Sequence, residues 1–405
     1  MSSPNVVIVG GGAAGLFAAI AGAETHRQGR FTVLERGSQP LSKVLVSGGG
    51  RCNVTHACFE PRALITHYPR GGSALLGPFH RFQPRDAMDW FESHGVPLKT
   101  EPDGRVFPVS DRSESVAQSL LSAALKSGVD LRLNVDVKTI QKHTGTPFVV
   151  TLGDGETLRA DRLVLATGGS PQGHAWAKSL GHTVQAAVPA LFSFTVPDDR
   201  LRGLSGVSVA QGEIQISGTS FRQEGPLLIT HTGLSGPAVI ALSSWGARVL
   251  NQSGYKGSLV VRWRPGSLEE TVERLKSFRT ERARQGVGTC PFPDIPRRLW
   301  DRLVMFADVP ADGRWADLSK TSLTRLAQEI SAGVYTLTGK SPFKEEFVTC
   351  GGVTLDEVNF KTMESRRQPG LFFAGEILDI DGVTGGFNFQ NAWTTGWLTG
   401  QNLIF

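Results

Sequence analysis

The 405-residue chain has little cysteine, methionine or tyrosine, with four, four and three of each. Cys52, Cys58, Cys290 and Cys350 make no C-x-x-C pair and no Cys/His cluster at zinc spacing. That argues against a disulfide scaffold or a zinc site and suits a reducing compartment. No charged segment precedes the first apolar run, and three consecutive glycines interrupt it, so it reads as neither signal peptide nor membrane span. Repeats and low-complexity tracts are absent. No charge of one sign dominates: 42 Lys+Arg face 37 Asp+Glu, a formal +5. The densest basic clusters, Arg279 to Arg284 and Arg297–Arg298, lie in helix-like segments and read as solvated helix faces. Nor does any stripe interleave aromatic and basic residues as a single-strand nucleic-acid groove would. What remains is a soluble, cytoplasmic, globular chain of two or three domains, with no membrane or nucleic-acid partner expected and its oligomeric state open.

What is present is glycine, 48 in all, and its placement carries information. Gly10, Gly12 and Gly15 form a G-x-G-x-x-G between a β-branched run, Val6 to Val9, and an Ala-rich helical stretch. In a dinucleotide-binding turn the first glycine makes the turn, the second lets backbone approach a pyrophosphate, and the third lets helix and strand pack closely. The following helix N-terminus offers free N–H groups to the phosphates. Glu35 stands twenty residues after Gly15, at the end of the strand-like Phe31–Leu34, where a carboxylate accepts hydrogen bonds from an adenosine ribose. The same carboxylate disfavours NADP, because two like charges about 4 Å apart at an effective dielectric of 20 cost roughly 4 kcal/mol. FAD or NAD is expected.

Further along, Ser113 to Lys126 has the apolar spacing of an amphipathic helix, and Val129 to Val164 alternates as short strands around a Gly153-Asp154-Gly155 turn. Residues 190 to 263 are rich in strand-like runs. Ser267-Leu268-Glu269-Glu270 is a capping box opening a helix through about Arg284, with further helices near Arg297 to Phe306 and Ser322 to Ser331. The chain closes with a strand-like Leu371 to Glu376 and a last helix after Gly386. Both chain ends therefore build one discontinuous nucleotide-binding domain, 1–188 and 347–405. An insertion spans 189–346, β-rich over 189–265 and helical over 266–346.

Six segments taken together, VVIVGGGAAGL, SGGGRCNVT, VLATGGS, THTGLSGPAVIALS, VTCGGVTLDEVNFKTMES and GLFFAGEILDIDGVTGGFNFQNAW, resemble the BaiN/YhiN-type flavoproteins. These are bacterial NAD(P)/FAD-dependent oxidoreductases, some classed as aminoacetone oxidases. The resemblance runs over nearly the whole chain in the family's order. It implies an α/β fold: a glutathione-reductase-type FAD-binding Rossmann domain with an inserted β-barrel and helical part.

The residues expected to hold FAD are Gly10, Gly12, Ala13, Ala14 and Gly15, then Glu35 and Arg36. The SGGGRCN segment adds Ser47, Gly48, Gly49, Arg51, Cys52 and Asn53, with Lys43 just before it. Val137 is expected at the adenine, and Ala166, Thr167 and Gly168 where the chain closes over the cofactor. Gly375 and Glu376 follow, Glu376 ending a strand where it can bind a ribityl hydroxyl. Gly385, Gly386, Phe387 and Asn388 open the last helix, whose N–H groups can face the flavin C2 carbonyl. Each has a plainer reading: Lys43 and Arg51 as surface cations, Asn53 as a turn former, Gly385–Gly386 as a tight turn. Gly396 and Gly400 fall on one helix face suited to close packing.

Cys52 and Cys58 suggest a redox pair, but five residues separate them and no second G-x-G-x-x-G is present, which disfavours a disulfide reductase. His231, in the insertion's THTGLSGP segment, is the candidate catalytic group, with a structural histidine as the alternative. Asn391 stands where the family commonly carries Trp. The expected activity is hydride transfer between flavin and a small organic substrate, with NAD(P)H as a transient reductant. An RNA-associated flavoprotein and a non-catalytic flavin sensor are the rivals.

Overall fold

The structure is a computed structural model and describes residues 3–310, 312–341 and 348–404. It divides into two compact units, Met1–Val188 with Phe347–Phe405, and Pro189–Glu346. The boundary expected at 346/347 lies outside the described residues.

The first unit is organised by a seven-stranded sheet drawn from both chain ends. Its order is Val358–Asn359, Glu364–Ser365, Leu371–Phe373, Arg162–Leu165, Asn5–Val9, Arg30–Leu34, Asp130–Arg132. The last five strands run parallel, with Ile8 level with Val33 on one side and Val164 on the other. The central strands Asn5–Val9, Arg162–Leu165 and Leu371–Phe373 are short and, beyond the polar residue that opens each of the first two, apolar and buried, as a parallel sheet covered on both faces requires. The first helix, Ala13–Thr25, is buried along nearly its whole length, including Leu16, Phe17 and Ile20. It lies against the last helix, Phe387–Gln401. There Gly396 and Gly400 give the close approach: a Cβ on Gly396 would stand 2.7 Å from the Ala14 carbonyl oxygen, and one on Gly400 2.6 Å from the Gly22 nitrogen. The helix expected at Ser113 to Lys126 spans those residues. The alternating segment forms the meander Val137–Gln141, Phe148–Leu152, Thr157–Ala160.

The second unit carries a seven-stranded antiparallel sheet whose two outer strands, Gly333–Leu337 and Gly339–Lys340, are separated in the chain by one residue. That connection brings the two edges together and rolls the sheet into a barrel. Helices Leu268–Glu281, Arg297–Phe306 and Lys320–Ser331 cover it. One apolar core, from Phe194 and Ile214 through Trp263, Leu303 and Ile330, serves strands and helices alike. The β-rich and helical parts are thus one folding body. The capping box at Ser267 and Glu270 forms as expected. Its helix stops at Glu281 instead of Arg284, because Ala283 and Val287 turn to bond Ala316 and Gly313. Among the described residues no helix is long and apolar enough to cross a membrane.

Candidate functional site

The carboxyl ends of four parallel strands lead into four groups of the expected residues, at Gly10, Glu35, Ala166 and Gly375. Gly10 ends strand Asn5–Val9 against Ala166, where a Cβ would sit 2.4 Å from the Ala166 carbonyl oxygen. At Gly15 a Cβ would lie 2.0 Å from the Gly10 oxygen, so no side chain fits there. Gly12 differs, because a Cβ on it would meet nothing within 4 Å. Two of the three glycines serve protein packing. The third leaves an open face at the N-cap of a thirteen-residue helix that no side chain caps, as a pyrophosphate cradle needs.

Glu35 follows strand Arg30–Leu34, and its carboxylate accepts from the Gly11 N–H (2.8 Å) and the Gly37 N–H (2.7 Å). Those bonds fix the carboxylate beside the glycine turn and leave lone pairs for ribose hydroxyls. Arg36 is exposed, and Val137 is buried at the start of its strand. Gly168 lies beside a pair formed by Lys43 and Glu376, at 2.5 Å. The other Glu376 oxygen accepts from the Thr349 N–H at 2.7 Å. Glu376 stands in a turn, Gly375–Ile377, instead of ending a strand, because the Gly375 N–H leaves the sheet to bond the Thr395 hydroxyl (2.9 Å). Ala14 packs against Gly375. The Thr167 hydroxyl is buried with no hydrogen-bond partner among the described residues.

The SGGGRCN segment is the tail of a helix, Ser42–Gly50, broken at Ser47 to Gly49, with Gly48 and Gly49 at φ 57° and 68°. The Ser47 carbonyl accepts from the Cys52 N–H at 3.0 Å. Two polar side chains here serve the fold. Arg51 donates to Glu101 at 2.8 Å and lies over the Phe107 ring, so its charge is directed to an acid. The Asn53 amide, oriented to satisfy its surroundings, accepts from the Gly386 N–H (3.0 Å) and donates to the Thr55 (2.9 Å) and Val106 (3.2 Å) carbonyls. Cys52 is fully buried, and burial pushes its thiol up to about 12. Such a thiol is no nucleophile near neutrality, which removes the main support for dithiol chemistry.

The two most distinctive motifs prove to be partners. Beyond the Asn53–Gly386 bond, Thr55 donates to Gln390 (2.6 Å), and Trp393 donates its indole N–H to the Val54 carbonyl (2.9 Å). A Cβ on Gly386 would sit 2.5 Å from the Thr55 oxygen. Asn388 clamps the preceding turn, accepting from the Gly382 N–H and donating to its carbonyl, both at 2.8 Å. SGGGRCNVT and GGFNFQ thus form one rigid mount for the start of the last helix.

Two residues missed from the sequence stand at that mount. The Phe387 ring packs against both His67 (4.3 Å) and His56 (4.7 Å), which are themselves 5.9 Å apart. Burial holds both imidazoles below the ordinary histidine value, so both are neutral at pH 7. Their sequence signal was slight: His56 merely follows the RCNVT run. Asn391 is buried, and its side-chain oxygen has no partner among the described residues. In the second unit, His231 is exposed between strands Arg222–Ile229 and Gly233–Ser235, without a hydrogen-bond partner among the described residues. Among the described residues no group of His, Cys, Asp or Glu is placed to hold a metal.

The model of the HI0933-like protein Rossmann domain matches residues 4–402. The chain belongs to the HI0933-like family. It is 32% identical over 427 residues to an Escherichia coli protein named ribosomal RNA dihydrouridine synthase, covering 99% of this chain and 98% of that one. It is also 30% identical over 419 residues to the 3-dehydro-bile acid delta(4,6)-reductase of Clostridium scindens, covering 98% of each. Among solved structures, the 3-ketosteroid-delta4-(5alpha)-dehydrogenase of Rhodococcus jostii RHA1 shares the fold at a TM-score of 0.51 and 16% identity, covering 99% of this chain and 98% of that one. A flavocytochrome c3 fumarate reductase does so at 0.51 and 17%, covering 99% and 78%. This HI0933-like protein is an FAD-dependent oxidoreductase, as the resemblance implied, and the open face at Gly12, the Glu35 carboxylate and the uncapped helix fit that cofactor.

Proposed function

We propose that the protein reduces a carbon–carbon double bond conjugated to a carbonyl, and that its substrate is a uridine base in ribosomal RNA. The observation that carries the reading is the one chemical change shared by its full-length relatives. Dihydrouridine is uridine with its C5–C6 bond saturated, and a delta(4,6)-reductase acting on a 3-oxo bile acid likewise saturates a conjugated bond. A second relative named as a ribosomal RNA dihydrouridine synthase, from Haemophilus influenzae at 29% identity, favours the nucleic-acid substrate.

When bound and reduced by NAD(P)H, the flavin would supply a hydride equivalent for the carbon β to the carbonyl, with a proton from a protein group or water completing the addition at the α carbon. The chain's part is holding and polarising. The first turn of helix Ala13–Thr25 carries the pyrophosphate, Glu35 the adenosine ribose and Glu376 a ribityl hydroxyl. The start of helix Phe387–Gln401 offers its positive end to charge on the flavin pyrimidine. His231 is the proposed substrate-side acid, and NAD(P)H the proposed reductant. A small enone is the second reading, favoured by the Clostridium scindens relative.

The test is complementation. In an Escherichia coli strain lacking its own ribosomal RNA dihydrouridine synthase, expression of this chain restores dihydrouridine in nucleoside digests of the ribosomal RNA. Its absence, while purified holoprotein reduces a 3-oxo-4,6-diene steroid, overturns the RNA substrate in favour of the enone.

A further inference from the structure

The inserted unit holds 20 Lys and Arg against 16 Asp and Glu between 189 and 346, and so carries +4 of the chain's +5. Part of that excess lies on one helix. Helix Arg297–Phe306 buries Leu299, Trp300, Leu303 and Val304. Its opposite face presents Arg298, Arg302, Met305 and Phe306, spaced at i, i+4, i+7 and i+8 along one stripe. Met305 and Phe306 are 51% and 38% exposed, unusual for large apolar side chains on a helix otherwise well packed.

The two arginines of the stripe reach a turn about a hundred residues earlier in the chain. Arg298 donates to the Gly203 carbonyl, and Arg302 donates to the Arg202 carbonyl at 3.1 Å. Arg202 sits on that same turn and pairs with Asp199 at 2.6 Å. The neighbouring Asp301 is engaged by Arg297 at 3.0 Å. Arg298 and Arg302 therefore reach one turn, and both have only neutral carbonyl partners among the described bonds, whereas the Arg202 side chain is paired with Asp199. Arg202 joins this face only through the fold, about a hundred residues before the helix in the chain.

We propose that this face, Arg202, Arg298 and Arg302 with Met305 and Phe306, docks single-stranded or looped RNA. The chemistry of each part fits that partner. Arginines held in place by carbonyls keep N–H groups for phosphate oxygens and planar faces for bases, and a half-exposed phenyl ring is a stacking platform that tolerates any base. An apolar protein partner would leave Arg298 and Arg302 desolvated without counter-charge. The inference rests on the reading that ribosomal RNA is the substrate, and it adds where on the chain the RNA is held.

The test uses FAD-loaded full-length protein and a fluorescein-labelled 30-nucleotide RNA hairpin with an unpaired loop, read by anisotropy from 50 to 300 mM KCl. The double variant Arg298→Gln/Arg302→Gln binds the hairpin at least tenfold more weakly at 100 mM KCl. Its log Kd against log salt slope is shallower by roughly 1.5, about 0.7 to 0.9 per lost phosphate contact. Phe306→Ser weakens binding about fivefold or more with an unchanged slope. Flavin content and melting temperature serve as fold controls for both variants. Wild-type affinity and slope in both overturns the proposal. So does sedimentation showing that Phe306→Ser dissociates a dimer while RNA affinity is unchanged, which makes the face a self-interface. The complementation result is independent: variants that lose RNA affinity beside a wild type that forms no dihydrouridine leave the surface standing and reject the substrate.

Discussion

Two regions, one in each unit, treat charge in opposite ways. In the nucleotide-binding unit, three cations are matched to carboxylates: Lys43 to Glu376, Arg51 to Glu101 and Arg70 to Asp381. What it offers a diphosphate is backbone at the glycine turn and the first helix N-terminus. In the inserted unit Arg200 and Arg262 are likewise paired with Asp198 and Glu213, but helix Arg297–Phe306 presents Arg298 and Arg302 bonded to carbonyls. A backbone cradle recognises one rigid ligand with little ordering cost on binding, whereas a side-chain surface suits a long, variable polyanion. The comparison teaches that the backbone cradle and the proposed RNA-docking face are built from different materials on one chain.

The largest effect expected of that division is at Gly15. With 2.0 Å to the Gly10 oxygen, Gly15→Val displaces helix from strand, lowers stability by at least about 1–3 kcal/mol and abolishes FAD retention, as denaturant melts and flavin-to-protein ratios will record. A stable, yellow Gly15→Val protein would dissolve the packing argument. Next is His231→Ala, expected to keep full FAD while slowing substrate reduction on the order of 10²-fold if the imidazole transfers a proton. Rapid-mixing kinetics with an unchanged rate would make His231 a bystander. Gly12→Ala sharpens the comparison: with open space around its Cβ, the melting temperature stays put while FAD binds roughly tenfold more weakly, about 1.4 kcal/mol.

A smaller effect is expected from pH. Burial depresses His56, His67 and His182, the last held between Glu357 (2.9 Å) and Ser365 (2.8 Å). The unfolded chain then binds more protons than the native one just below 6.5. Stability should be full above that pH and fall as pH drops through the depressed native values, and His182→Gln should blunt the fall. A pH-independent melting temperature between 7.5 and 5 would show that these imidazoles are not neutral in the fold. The smallest change is expected at Cys58: Cys58→Ser leaves flavin content and turnover as they were, and a charge-transfer band lost in that variant would restore the dithiol reading.

Much of this was legible in the residues because local rules and tertiary structure agree. The G-x-G-x-x-G at Gly10 and the Ser267 capping box each specify their element from within a few residues, and Gly396 with Gly400 announces a close helix contact. What could not be read depends on partners distant in sequence. Arg51 looked like a phosphate ligand because Glu101, fifty residues on, was invisible as its partner, and Asn53 looked like a flavin contact because Gly386 was. The Phe387–His67–His56 stack and the Arg202–Arg298–Arg302 surface are likewise assembled only by folding. Glycine-rich motifs name themselves, whereas side-chain constellations do not.

The most direct test of the account is a single anaerobic turnover. Holoprotein with its flavin chemically reduced is mixed with protein-free ribosomal RNA lacking dihydrouridine, and flavin absorbance is followed while the RNA is analysed by nucleoside mass spectrometry. The account predicts that the flavin reoxidises with one dihydrouridine formed per flavin oxidised. Flavin that stays reduced with this RNA, and reoxidises only when a small enone is added, would contradict it.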